Sequence, residues 1–129
     1  GDFGTHSDSS TAANIQTDID VASSIADTSD ADYFKFRMPS NKNNAVIRIS
    51  GLSTNCNIEI YDASTGVATM ELLRESSVTG TNDEVIVINN LGVGPYIVKV
   101  FPDEAETVGT TNYTIRVSTS SSEVFSQQP

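Results

Sequence analysis

Four aspartates carry the clearest chemical potential in this sequence: Asp8, Asp27, Asp30 and Asp32. The last three fall within six residues, and Asp30 and Asp32 form an acidic D-x-D. Calcium takes about six to eight oxygen ligands, drawn from carboxylates and backbone carbonyls. Asp27, Asp30 and Asp32 supply such oxygens at a turn, and Asp2 or Asp8 can fold back onto them. The spacing of an EF-hand is absent, so a calcium site here would be irregular. The same residues also fit plain turn chemistry, because Asp caps and bends the backbone. A second set, Tyr33, Tyr61 and Phe101 with Lys99, offers binding rather than metal chemistry. All four fall at outward phases of alternating segments, where rings and a cation can meet a ligand. They equally suit packing at a sheet rim.

Catalytic chemistry finds little material. His6 is the only histidine and lies in a loose polar segment. A Ser-His-Asp triad would have to be assembled around it. Zinc would find no His/Cys cluster, no Gly-rich phosphate loop is present, and no spacing marks a carboxylate pair among the 17 acids. The acidic stretch Asp103, Glu104 and Glu106 reads as a solvated loop.

The elements that must position these residues are strands. Tyr33–Met38 alternates, with Phe34, Phe36 and Met38 toward one face and Tyr33, Lys35 and Arg37 toward the other. Ala45–Ser50, Asn57–Tyr61, Tyr96–Phe101 and Tyr113–Val117 alternate in the same way. Val21–Ile25 is a weaker strand, and Thr11–Ile15 fits either a turn or a strand. Val67–Leu73 fits a strand or a short helical turn, and 75–83 reads as a polar loop. The run Glu84–Ile88 predicts a strand buried on both faces. Segments rich in Gly, Pro, Asn and Asp separate these runs, as at Asp62–Gly66 and Asn89–Pro95. About eight strands at this spacing, with no amphipathic helix, predict an all-β antiparallel sandwich of jelly-roll type.

At 129 residues the chain predicts one domain, over 1–119, followed by a Ser-rich linker remnant over 120–129. The net charge of −10 disfavours nucleic acid, whose phosphates require Lys and Arg, and disfavours anionic membrane surfaces. No run of about 18 apolar residues exists to span a bilayer. The single cysteine, Cys56, allows no internal disulfide and is in phase with Ile58 and Ile60, as a buried structural thiol would be. Five of the seven basic residues, Lys35, Arg37, Arg48, Lys99 and Arg116, lie at outward strand positions. There they either solvate and protect the sheet faces or form a local positive stripe that attracts an anionic polymer. The ends, Gly1-Asp2-Phe3 and Gln127-Gln128-Pro129, are those expected of a piece of a longer polypeptide.

In order and spacing, Asp30–Phe36, Ile58–Ala63 followed by Gly66, Leu91–Gly94 with Tyr96–Val100, and Tyr113–Val117 resemble the bacterial pre-peptidase C-terminal domain family. Asp2-Phe3-Gly4 and Thr11-Ala12 fit its usual lead-in. Two features depart from the family pattern. Asn55 and Asn57 stand where its central strand commonly has Asp, and Asp8 with its serines replaces a Glu-Pro-Asn cluster. The resemblance implies a jelly-roll module appended to secreted bacterial hydrolases, with collagen-binding, carbohydrate-binding and calcium-binding members. The expected function is therefore a non-catalytic, extracellular accessory module, monomeric and tethered to a catalytic domain. It would bind or position a polysaccharide or fibrous protein through Tyr33, Tyr61, Lys99 and Phe101, with calcium held by Asp8, Asp27, Asp30 and Asp32. The alternative is a structural or export module that stabilises its neighbour and binds no substrate; an independent enzyme is the weakest fit.

Overall fold

The computed structural model describes residues 12–25, 31–52, 54–66, 69–77, 83–103 and 111–122. Among them run nine strands: β1 (Ala13–Asn14), β2 (Asp20–Ile25), β3 (Asp32–Met38), β4 (Asn44–Ser50), β5 (Cys56–Asp62), β6 (Glu71–Ser76), β7 (Glu84–Ile88), β8 (Gly94–Pro102) and β9 (Thr111–Ser120). They form a five-stranded sheet in the order β1-β3-β8-β5-β6 and a four-stranded sheet in the order β2-β9-β4-β7. Only β1 against β3 is parallel; every other ladder is antiparallel. The antiparallel pairs β2·β9, β3·β8, β4·β7 and β5·β6 nest inside one another and alternate between the two sheets. This is one long ribbon rolled on itself, the jelly-roll path expected from the sequence.

The core follows from period-two alternation. Phe34, Phe36 and Met38 of β3, Tyr96, Val98 and Val100 of β8, and Cys56, Ile58 and Ile60 of β5 all face inward. Ala45, Ile47 and Ile49 of β4, Ile86 and Ile88 of β7, and Tyr113, Ile115 and Val117 of β9 meet them from the second sheet. Phe36 and Tyr96, cross-strand neighbours, stack at 5.6 Å between ring centroids. Cys56 is buried among these side chains, the packing role its phase with Ile58 and Ile60 predicts.

Three expectations change. The Glu84–Ile88 run is not buried on both faces: β7 is an edge strand, so Glu84, Ile86 and Ile88 are buried while Val85 and Val87 are half-covered. The segment read as a strand or turn over 67–73 is a strand shifted toward the carboxyl end, and Glu75 and Ser76 belong to it rather than to a loop. A register shift opposite Ile60 and Tyr61 breaks its alternation, which is why its pattern is hard to read in sequence. The acidic loop expected from Pro102 to Asn112 gives up both ends to strands, because Pro102 closes β8 and Thr111 and Asn112 open β9.

Asp18 fastens the approach to β2. It adopts a φ of 66° and accepts bonds from the backbone N–H of Thr119 (2.8 Å) and its hydroxyl (2.6 Å). Burial pushes the Asp18 carboxyl up, but the Thr119 bonds and the charge of Lys42 outweigh this and hold it below the usual range.

Truncating the inner stack gives a direct measure of this core. Phe36→Ala is expected to cost about 3–5 kcal/mol in the free energy of unfolding, measured by urea denaturation. A loss under about 1 kcal/mol would place Phe36 outside the cooperative core.

Candidate functional site

β3 supplies both faces of the site region, because its first two residues point opposite ways. Asp32 points inward, in phase with Phe34, and is 1% exposed. Its Oδ2 accepts the Tyr113 hydroxyl at 2.5 Å and the Ser23 hydroxyl at 3.3 Å. Tyr113 and Ser23 are cross-strand neighbours on the opposite sheet, so the carboxylate joins the two layers. The Tyr113 ring also meets Phe34 edge-on, with centroids 6.4 Å apart. One tyrosine thus holds two inward positions of β3. Short O–H to carboxylate bonds of this kind are the charge-assisted class and offset part of the cost of burial. A second buried acid follows the same plan: Glu84 of β7 accepts the Ser76 hydroxyl of β6 at 2.6 Å, again from sheet to sheet.

Asp8, Asp27 and Asp30 lie outside the described residues. Among the described residues, no three His, Cys, Asp or Glu side chains come together in a metal-holding group. The described geometry gives Asp32 an inter-sheet hydrogen-bonding role.

Tyr33, Lys99, Phe101 and Tyr61 do converge, on the outer face of the five-stranded sheet. Tyr33 lies directly opposite Lys99 on β8, and Lys99 lies opposite Glu59 on β5. The Lys99 Nζ stands 4.7 Å from the Phe101 ring centroid and 5.9 Å from that of Tyr33. It is thereby held between two rings whose faces attract a cation. Tyr61 donates its hydroxyl to Glu59 at 2.5 Å. Burial raises the Tyr61 phenol well above its ordinary value, and the bond to Glu59 and that residue's charge push the same way. Burial also raises Tyr96, with the charge of Asp62 adding to it.

One residue, Ile97, and one contact, that of Asn57 with Asp103, went unread in the sequence. Ile97 shares the outward phase of Lys99 yet is fully buried, and it stands apart from the inner core cluster. It sits between Lys35 and Tyr61 in register, an apolar floor under the outer side chains. An outward Ile flanked by a Lys and a Tyr was the available signal. Asn57, the family departure, donates to Asp103 at 3.3 Å. An aspartate at that position would set two carboxylates against each other, so the amide fits this chain's own neighbour.

Two measurements check this account. Tyr113→Phe keeps the ring against Phe34 and deletes a donor to Asp32; it is expected to cost about 1–3 kcal/mol of unfolding free energy. An unchanged urea midpoint would remove Asp32 from its inter-sheet role. Tyr61 has a folded pKa above its unfolded value of about 10, so its contribution is complete below that pH and is lost as pH rises further. Tyr61→Phe should therefore delete one late-titrating equivalent from the phenolate absorbance curve; an unaltered late limb contradicts the Glu59 bond.

Comparison with known proteins agrees with this architecture. The bacterial pre-peptidase C-terminal domain family matches residues 30–102, more than half of the chain. Among solved structures, the pre-peptidase C-terminal domain of a collagenase from Bacillus anthracis is similar, with a TM-score of 0.63 at 16% identity, over 82% of this chain and 93% of that one. The periplasmic inhibitor of g-type lysozyme from Aeromonas hydrophila shares the fold more loosely, with a TM-score of 0.50 at 13% identity, over 81% and 96% of the two chains. A search of curated proteins finds no match. The chain belongs to the bacterial pre-peptidase C-terminal domain family, whose members are non-catalytic accessory modules of secreted bacterial hydrolases.

Proposed function

We propose that the outer face of the five-stranded sheet is a contact surface for a polymeric substrate, polysaccharide or fibrous protein, of a secreted hydrolase to which this module is tethered. The convergence of Tyr33, Lys99, Phe101 and Tyr61 on one face is the observation that carries this reading. Rings standing on a sheet give a flat apolar platform, and their polar tips and the Lys99 ammonium supply hydrogen bonds at its edge. Such a platform suits an extended chain, which needs no enclosing pocket. Lys35 and Arg37, exposed further along β3, continue the face with positive charge. They border a hollow of about 260 Å³ lined also by Asn14, Ile15 and Pro95. Tethering then raises the local concentration of the polymer at the neighbouring active site. Calcium held by Asp8, Asp27 and Asp30 is part of the proposal on donor chemistry, since these are hard oxygen ligands of the type calcium takes, while the Asp32 carboxylate is engaged by Tyr113 and Ser23. Its role would be to stabilise the start of β3.

The test is retention of the chain on insoluble polysaccharides and on collagen fibres. A double Tyr33→Ala, Phe101→Ala variant is expected to lose about tenfold in affinity, about 1.4 kcal/mol. Retention on none of these polymers would favour the structural or export module instead. Calcium is tested separately. Millimolar calcium should raise the melting temperature, since a ligand of the folded state stabilises it, and Asp30→Asn should abolish the rise. An unchanged midpoint ends the calcium part and leaves the polymer surface standing.

A further inference from the structure

The opposite face of the sandwich carries a different chemistry. A single row of charges crosses the four-stranded sheet. Asp20 of β2 is in register with Arg116 of β9, and Arg116 is in register with Arg48 of β4. Asp83, which precedes β7, reaches Arg48 from the far side at 3.4 Å, and Asp20 reaches Arg116 at 3.2 Å. The order across the sheet is acid, arginine, arginine, acid. Two like charges directly opposite on adjacent strands, with Cβ atoms about 4.5–5.5 Å apart, repel each other. Here the flanking acids relieve that repulsion only weakly. Each contact is a single N–O pair, and the side chains involved are 40% and 43% exposed in one and 43% and 70% exposed in the other. Exposed pairs of this geometry are readily displaced.

The surroundings of the arginines are polar and shaped. Arg116 Nε donates to the Ser118 hydroxyl at 3.1 Å, which orients the guanidinium. The adjacent row, Ala22, Thr114 and Ser50 in register, lines a hollow of about 300 Å³ whose walls also include Ser23, Gly51, Asn112 and Tyr113. That is the lower end of the size range of small-ligand sites. Its hydroxyls and amide can meet the hydroxyls of a polyol, and its apolar walls at Ala22, Gly51 and Tyr113 can meet that polyol's C–H groups. Among the described residues no aromatic ring is in contact with the Arg48 or Arg116 guanidinium for a base to stack on, which favours a sugar-borne anion over a nucleotide.

We propose that Arg48 and Arg116 form an anion clamp for an acidic polysaccharide: the pair takes the carboxylate or sulfate of one sugar residue, and the hydroxyl-lined hollow beside it takes that residue's ring hydroxyls. Guanidinium groups present planar forks that match such oxyanions. On binding, the sugar's anion replaces Asp20 and Asp83 as the counter-charge to the two arginines. This site uses no residue of the aromatic face, so it stands or falls independently of the polymer surface proposed above.

The experiment is affinity electrophoresis of the whole chain at low ionic strength through gels containing polygalacturonate, dextran sulfate or neutral dextran. Retardation is expected with at least one charged polymer and not with dextran; the first two gels separate carboxylate from sulfate as the anion recognised. Arg48→Gln and Arg116→Gln should each weaken retention about tenfold, while Arg74→Gln, an equal loss of positive charge on exposed β6 of the other sheet, leaves it unchanged. Asp83→Asn, which removes a competing carboxylate, should strengthen retention several-fold, a gain that no folding defect can mimic. Glu71→Gln, an equal change in net charge on the other sheet, should not strengthen it. No retardation by either charged polymer overturns the proposal. So does retention that is indifferent to the arginines, or that rises equally with Asp83→Asn and Glu71→Gln.

Discussion

One buried hydrogen bond, from the Tyr113 hydroxyl to Asp32, adds direction to the apolar packing that sets the register of β3. Side chains alternate along a strand, so a slip of one residue would carry every inward group to the outer face. Such a slip would expose Phe34, Phe36 and Met38 and drive Tyr33, Lys35 and Arg37 inside. Apolar burial alone opposes it strongly, but the Asp32 carboxylate adds a directional constraint. It is satisfied where Tyr113 and Ser23 of the other sheet point at it. Glu84 with Ser76 repeats the device at the β6–β7 margin. Two buried carboxylates, each met by a hydroxyl from the facing sheet, thus add specificity to a layer packing that hydrophobic contact leaves non-directional.

The same alternation that builds the core assembles both outer surfaces without further cost. Once Val98 and Val100 face inward, Lys99 and Phe101 must face outward, and the β3·β8 ladder delivers Tyr33 to Lys99. Once Ile47, Ile49, Ile115 and Val117 face inward, Arg48 and Arg116 are left side by side on the other surface. The two surfaces differ because their neighbours differ. One cation rests between aromatic rings, while the two guanidiniums have exposed carboxylates at 3.4 and 3.2 Å and small hydroxylated side chains beside them.

The strands with clean alternation were legible in the sequence, and β3, β4, β5, β8 and β9 lie where their periods place them. The jelly-roll class followed from their number and spacing together with the resemblance. What remained illegible has physical reasons. β6 carries a register shift and edge exposure, so its residues obey no two-fold period. The Val-Ile-Val run of β7 reads as doubly buried because periodicity reports side-chain type, not whether a strand stands at a sheet edge. The outward phases of Tyr33, Tyr61, Lys99 and Phe101 were readable, but which strands adjoin is a long-range fact, and only pairing shows that they share a face. Asp32 is the instructive case. Composition marks an aspartate beside a turn as a surface or metal residue, whereas its phase with Phe34 already placed it inward.

A surface built this way has a thermodynamic advantage for holding polymers. Binding is weakened by the ordering of mobile side chains and loops at the interface. Here each contact residue stands on a strand whose backbone is fixed by ladders on one or both sides and by the core beneath it. Lys99, ordinarily among the most mobile side chains, is bracketed by two rings before any ligand arrives. Buried Ile97 supports the platform from below, so the rings cannot collapse inward to fill a void. Rigidity of this kind lets a shallow face bind without an enclosing pocket, and it ties binding to folding: loosening the inter-sheet bonds of Asp32 would blur the outer face along with the core.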